Sequence, residues 1–332
     1  MRLCLTIDTE MSMGAHNRGT PMERNFEFSI EGRCADGEFG AFYQARAFRE
    51  RELTGVFFVD PLPSMIGGSD SVGKTVGRLL DLDQDVQLHV HTEWLTASDF
   101  APIAGRIGNM IADYDLDTQT RILQQAADLL VEAGAPFPTA FRAGNYGAND
   151  DTLTALARIG IRFDSSFDTG YGHPMIGLPL NQVSPVERNG VVEFPLSALL
   201  EGTSHRHLQV CAVTAHQMQT ALVDAARQGH TQQTVLSHSF ELLTRDRRRV
   251  NPVHLARFHR LCDFVQHRPD LFTTGPFVEL LPARRPLSLP VSSSLAALHR
   301  RASQALKILR YERAYLYARL RGDSGVAWGG PE

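Results

Sequence analysis

The sequence contains no apolar run approaching the roughly 20 residues that a membrane-spanning helix needs, so no transmembrane segment is expected. Its four cysteines, Cys4, Cys34, Cys211 and Cys262, fall in no CxxC or related spacing. That argues against a cysteine-ligated metal site and against a redox pair. Basic charge is scarce, with 33 Lys and Arg facing 37 Asp and Glu for a net charge of −4. Residues 284–332 hold nine Lys or Arg against Glu312, Asp323 and Glu332, a net of +6, which leaves −10 for residues 1–283. A body this acidic lacks the basic face that nucleic acid requires, and no nucleic-acid partner is expected. The chain opens Met-Arg-Leu-Cys-Leu-Thr-Ile-Asp, an apolar alternation without the apolar stretch and small-residue cleavage site of a secretory signal. The expected compartment is the cytoplasm, with reduced thiols.

What is present is an ordinary globular composition, 43% hydrophobic and 21% charged over 332 residues. That is enough to bury a large core without disulfides. Short β-branched or aromatic runs alternate with helical patterns. Leu3–Asp8, Gly55–Asp60, Asp85–His91, Thr139–Arg142, Ile161–Ser165, Val191–Leu196 and Thr234–His238 read as strands, and Leu271–Leu280 closes the pattern. Phe42–Leu53, Val76–Leu82, Thr118–Ala133, Asp150–Ile159, Ala215–Gln228 and Pro252–Val265 read as helices. This βα alternation predicts an α/β fold, a distorted (β/α) barrel of about seven parallel strands. Residues 1–282 form the expected catalytic domain. Residues 283–332 form the expected C-terminal extension, a basic amphipathic helix and a flexible tail.

In such folds chemistry collects at the C-terminal ends of the strands. Asp8 and Glu10 end the first strand on one side, since side chains alternate. His89 and His91 share a side at another strand end, followed by Glu93. Further strand ends carry Arg142, Asp164 and His238. Charged groups are rarely buried without partners, and a ring of them at one rim suits a metal centre with an acid and a base around it. Two neutral imidazoles, His89 and His91, with a carboxylate from Glu10 or Asp8, leave an open position on a divalent ion of the zinc type. Other transition metals fit the same donors. A second carboxylate can then take a proton from water, and a histidine opposite can protonate a leaving nitrogen.

The order Thr-Ile-Asp8-Thr-Glu10, Leu-His89-Val-His91, Phe-Arg142-Ala-Gly-Asn145, Asp164-Ser-Ser and Leu-Ser-His238 resembles the polysaccharide deacetylase family, the NodB-homology or carbohydrate esterase 4-like group. The resemblance spans roughly residues 1–280. It implies a distorted barrel, one divalent metal ion, and hydrolysis of an N-acetyl (or other N- or O-acyl) group on a sugar or glycan precursor. It makes Asp8 the general base and His238 the general acid, with Arg142 and Asp164 orienting them. The motifs depart from the family pattern. Thr9 stands where the family has a second aspartate, so Glu10 supplies the missing carboxylate. The two histidines are two residues apart rather than four, so either His91 or Glu93 completes the metal site. Glu93, Asn145 and Tyr146 are expected against the substrate. The expected substrate is made in the cytoplasm: an acylated nucleotide sugar, a lipid-linked sugar or a small glycoside.

Other signals compete. Gly68-Ser-Asp-Ser-Val-Gly73-Lys74-Thr75 matches the P-loop pattern, but Pro61 and Pro63 separate it from the preceding strand. It reads instead as a helix-leading loop near the rim, with Lys74 reaching toward an anionic substrate. His89-Val-His91 also resembles the HxH of metal-dependent phosphoesterase and amidohydrolase barrels, and a third reading is a non-catalytic sugar-binding relic. Residues 11–40 form a long insert with the position of a lid, from which His16 and Arg18 can reach the site. Residues 291–321 place Leu295, Leu298, Ala302, Ala305, Leu309, Leu316 and Leu320 at helical spacing among arginines, with an interruption near Glu312 and Arg313. That apolar stripe is expected to face the barrel or a second copy. Contact with an anionic membrane, peripheral to its inner face, is the alternative.

Overall fold

The computed structural model describes residues 1–67, 70–100, 108–170, 174–279 and 287–312. Its spine is a nine-stranded sheet. In spatial order the path runs Gln232–His238, Arg2–Thr9, Gly55–Val59, Asp85–Val90, Ala140–Ala143, Phe163–Asp164, Val191–Glu193 and Val186–Arg188, with Thr273–Thr274 paired to the start of Arg2–Thr9. The pairings are parallel except that between Val186–Arg188 and Val191–Glu193. The sheet curls into a half-barrel with helices around it. Irregular backbone spans the gap: Ser197 N–H donates to Thr234 O at 3.1 Å and Leu236 N–H to Leu208 O at 3.0 Å.

The strands are buried on both faces, and the two faces differ in content. Leu3, Leu5 and Ile7 belong to the large core shared with the helices. The alternate residue Cys4 joins Val56, Phe58, Ala140, Phe163, Phe194 and Phe277 in a separate cluster inside the barrel. Along that inner side Cys4 is followed by Thr6, Asp8 and Glu10, so polarity rises toward the C-terminal strand ends. Helix ends follow local chemistry. Asp115, Thr214 and Asn251 cap the helices Leu116–Glu132, Ala215–Gln228 and Pro252–Gln266 through their side-chain oxygens. Gly229, at φ 88°, ends the second of these in the left-handed region.

Several expectations change. The strand expected at 161–165 shortens to Phe163–Asp164, and that at 271–280 to Thr273–Thr274, because parallel partners exist only over those residues. An unforeseen hairpin, Ala198–Glu201 with Ser204–His207, sits beside the gap. The P-loop match is not a phosphate loop. Residues 70–75 open the helix Asp70–Leu80, Gly68 and Ser69 lie outside the described residues, and Lys74 pairs with the buried Glu31 at 2.6 Å instead of reaching toward the rim. The insert holds two short helices, a π-helical turn and a two-stranded hairpin. His16 packs its ring against Trp94, and neither His16 nor Arg18 lines the cavity described below.

The C-terminal helix Ser294–Tyr311 reverses its expected orientation. It packs on the body with Arg300 and Lys307 buried and its leucines exposed. The reason is a pair of buried acceptors. Glu201 receives Arg300 through two hydrogen bonds, at 2.9 and 2.6 Å, and Lys307 lies 3.5 Å from Glu312. Residues 313–321, which the sequence pattern also made helical, and the tail lie outside the described residues.

The two bonds from Arg300 and the nearby Arg206 hold the Glu201 carboxyl down to about 2. Its unfolded value is about 4.3, so its contribution to stability is complete above that pH and is lost as pH falls through about 2. Arg300→Met should cost about 3–5 kcal/mol by stranding a buried carboxylate. Chemical denaturation should show the loss, and limited proteolysis should open the chain between residues 287 and 312 first.

Candidate metal centre and active site

The strand register brings the polar ends level. Asp8 pairs with His238 across one neighbour, His89 with Arg142, and Asp164 with both Phe141 and Glu193. Two-residue spacing then projects Glu10 and His91 one step beyond Asp8 and His89. The three groups Glu10, His89 and His91 converge, with one donor atom from each within 4.8 Å of the others. One oxygen, Glu10 Oε2, lies 3.0 Å from His89 Nε2 and 2.5 Å from His91 Nε2.

Each imidazole is held from behind. His89 Nδ1 lies 2.8 Å from the Arg142 carbonyl, which only accepts, so Nδ1 carries the proton and Nε2 faces Glu10. His91 Nδ1 donates to Glu93 Oε2 at 3.1 Å, and Asn145 Nδ2 donates to Glu93 Oε1 at 2.8 Å. Fixing the far nitrogen so that the near one points inward is how metal-ligating histidines are oriented. Glu93 therefore stands behind His91 rather than replacing it, and Asn145 orients Glu93. Gly144 leaves room for this arrangement, since a Cβ there would lie 2.7 Å from the His91 ring. Asn145 and Tyr146 follow with φ of 55° and 52°, left-handed conformations that non-glycine residues adopt at a cost.

Electrostatics tie the cluster together. Burial disfavours charge on Glu10, yet the two imidazoles hold it well below the carboxylate range. Burial also opposes charge on His91, and Glu10 with Glu93 raises it well above its usual range. A dication fits a site that gathers one carboxylate oxygen and two inward imidazole nitrogens, and it takes the place of that shared proton. Asp60, at the end of Gly55–Val59, was not anticipated. Burial pushes it up to about 7 against the pull of His91 and His89.

Beside the cluster, Asp8 Oδ1 accepts from Arg142 Nη1 at 2.6 Å, and Asp8 Oδ2 lies 3.9 Å from His238 Nε2. His238 Nδ1 faces Glu241 Oε2 at 3.1 Å and Gln209 Nε2 at 3.2 Å. Burial disfavours its imidazolium, but the Glu241 hydrogen bond and the charges of Asp8 and Glu10 push it up to about 9. Glu241 thus takes the place expected of Asp164. Asp164 is buried behind Arg142, accepts from Ser166 Oγ at 2.7 Å, and shares a hydrogen bond with Glu193. Burial raises both carboxyls, and the charge of Asp164 raises Glu193 further, so the pair holds one proton between them. Glu241 follows His238 by three residues in the turn after the strand, a spacing that offered a signal the strand-end pattern did not contain.

Asp8, Glu10, His89, His91, Asn145, Tyr146 and His238 line one cavity of about 450 Å³. Burial pushes the Tyr146 phenol well above its ordinary range. The cavity continues past Glu241 to Arg206, Arg245 and Arg247, and its far wall is Arg300, Gln304, Lys307 and Glu312 of the C-terminal segment.

No family model matches the chain, and no curated protein matches it. Solved structures do. A Mycobacterium smegmatis protein assigned as a polysaccharide deacetylase aligns over 91% of both chains, with 18% identity and a TM-score of 0.54. The family 4 carbohydrate esterase of Streptomyces lividans, solved with acetate, aligns over 83% of this chain and 92% of its own, with 11% identity and a TM-score of 0.41. A CE4-family pseudoenzyme of Bacillus anthracis aligns over 82% and 63%, with 9% identity and a TM-score of 0.43. The fold of the chain is that of the Mycobacterium protein.

Proposed function

We propose that the chain is a metal-dependent deacetylase that hydrolyses an acyl group, most simply N-acetyl, on a sugar or glycan precursor. The observation that carries this reading is the convergence of His89, His91 and Glu10 on one point, with Asp8 and His238 facing each other across a gap beside it. Glu10, His89 and His91 would hold the ion. When bound, a divalent cation supplies Lewis-acid polarisation of the acyl carbonyl and acidifies water.

The protein's own groups do the rest. Arg142 fixes Asp8 Oδ1, which leaves Oδ2 on the side of the gap to take the proton of the attacking water. His238, protonated, gives its Nε2 proton to the leaving nitrogen as the carbon–nitrogen bond breaks, and carboxylic acid and amine result. Glu241 accepts from the imidazole at its other nitrogen, and Gln209 Nε2 donates to the same Glu241 oxygen at 2.8 Å. Away from the rim the cavity lining is crossed by ion pairs, with Glu201 answering Arg206 and Arg300, and Glu312 answering Arg245 and Lys307.

Three outcomes test the roles. His89→Ala should lose the ion by elemental analysis after loading with zinc or cobalt. Asp8→Asn and His238→Ala should keep the ion and lose roughly a hundredfold or more in turnover, the usual range for one acid or base group. If these variants hydrolyse acetylated sugars as fast as the parent, or the parent releases no acyl group from any of them, the reading fails and a sugar-binding relic remains.

The pH profile tests the acid separately. Catalysis needs His238 protonated, so kcat should fall at alkaline pH; the imidazole stands at about 9 without a bound cation, and a dication on Glu10 should bring the limb below that. Asp8 and Glu10 face this imidazole from the first strand and Glu241 from the following turn. Glu241→Gln removes the nearest of these charges and should move the alkaline limb to lower pH. An unmoved limb would remove His238 from the role of acid.

A further inference from the structure

The helix Ser294–Tyr311 turns Arg300 and Lys307 inward and its leucines outward. Leu295, Leu298, Leu306 and Leu309 are 77%, 64%, 67% and 53% exposed, and Val291 ahead of them is 67% exposed. Leu295, Leu298, Ala302, Ala305 and Leu309 repeat at alternating steps of three and four, so they form one line along the helix, and Leu306 widens it. A contiguous apolar stripe on the surface marks a contact with something else, unlike scattered single side chains.

Charge decides what that something is. The helix contains no acidic residue, and His299, Arg301 and Arg310 are exposed along it. Two copies joined by this stripe would bring cationic rims together with no carboxylate to answer them. A bilayer with anionic headgroups answers both parts, with phosphates for the arginines and acyl chains for the leucines. The composition agrees, since residues 284–332 carry +6 in a chain of net charge −4. We propose that this helix docks the protein, lying in plane, on an anionic lipid surface. Among the described residues no helix is long and apolar enough to cross a membrane, so the contact is peripheral. The buried side of the same helix gives Arg300, Gln304 and Lys307 to the cavity wall.

Sedimentation of the full chain with phosphatidylcholine vesicles, with and without phosphatidylglycerol, reads the contact directly and does not depend on the proposed chemistry. Binding to the anionic vesicles should be about tenfold or more the stronger and should weaken as salt rises. Leu298→Glu with Leu306→Glu should remove it by about tenfold or more, with melting temperature and acyl release from a water-soluble substrate unchanged. Should that variant fail to fold, Arg301→Glu with Arg310→Glu, on the exposed rim, should give the same loss. No binding, or equal binding to neutral vesicles, overturns the proposal. So does a dimer in light scattering that Leu298→Glu dissociates, which would assign the stripe to a second copy.

Discussion

The buried pair of Arg142 and Asp8 is the constraint on which the rest of the site depends. Both side chains are all but inaccessible, and an isolated charge there would cost several kcal/mol. The geometry uses four of the five guanidinium N–H groups. Nη1 donates to Asp8 Oδ1 and Thr6 Oγ1, Nη2 to Ser165 Oγ, and Nε to the Ser165 carbonyl. Its flat face lies 4.3 Å from the Phe58 ring centroid, on top of the apolar cluster that fills the barrel floor. The carbonyl of the same residue fixes His89 Nδ1. One arginine thus sets Asp8, His89 and the seam between two strands, so none of these can shift alone.

Carboxyl groups elsewhere are arranged to keep this centre from being overrun by negative charge. Asp164 and Glu193 share a proton behind Arg142, which leaves most of the guanidinium charge to Asp8. Asp60, raised to about 7 by burial, carries only part of a charge near neutral pH beside the histidines. Glu31, further out in the insert, is answered by Lys74 and Arg33 at 2.6 and 2.7 Å. Buried acids that are paired or protonated cost less than bare ones. The charged groups left at the rim are those with chemistry to perform.

This pattern explains what the sequence disclosed. Side-chain alternation along a strand is rigid, so Asp8 with Glu10 and His89 with His91 were legible as pairs, and parallel register brought the two pairs together. The helices of the body were legible from their apolar faces and their Gly and Pro punctuation, to within a few residues at each end, except that the first six residues of Asp70–Leu80 were read as a loop. Partnership across the barrel was not legible. Asp164 and Glu241 are both carboxylates near strand ends, and only the inward angle of each strand decides which reaches His238. The orientation of the last helix was hidden for a related reason. Its hydrophobic periodicity identifies an apolar face but not the direction that face takes, and that direction was set by Glu201, 99 residues away in the sequence.

The C-terminal helix is also joined to the acid by an unbroken polar chain. His238 bonds Glu241, whose carbonyl receives His254 Nδ1–H at 2.8 Å, and Lys307 Nζ stands 3.2 Å from His254 Nε2 and 3.5 Å from Glu312. Burial and the Lys307 charge push His254 down to about 3, so the ring is neutral and accepts from the ammonium while it donates to Glu241. That proton arrangement pairs both nitrogens of His254 without a second imidazolium beside His238. Lys307 approaches from the helix, so the position of the helix bears on the backbone that aims Glu241 at the acid. An element that looks peripheral in sequence therefore reaches the chemistry through three contacts, and its outward leucines and inward cations belong to one structural role.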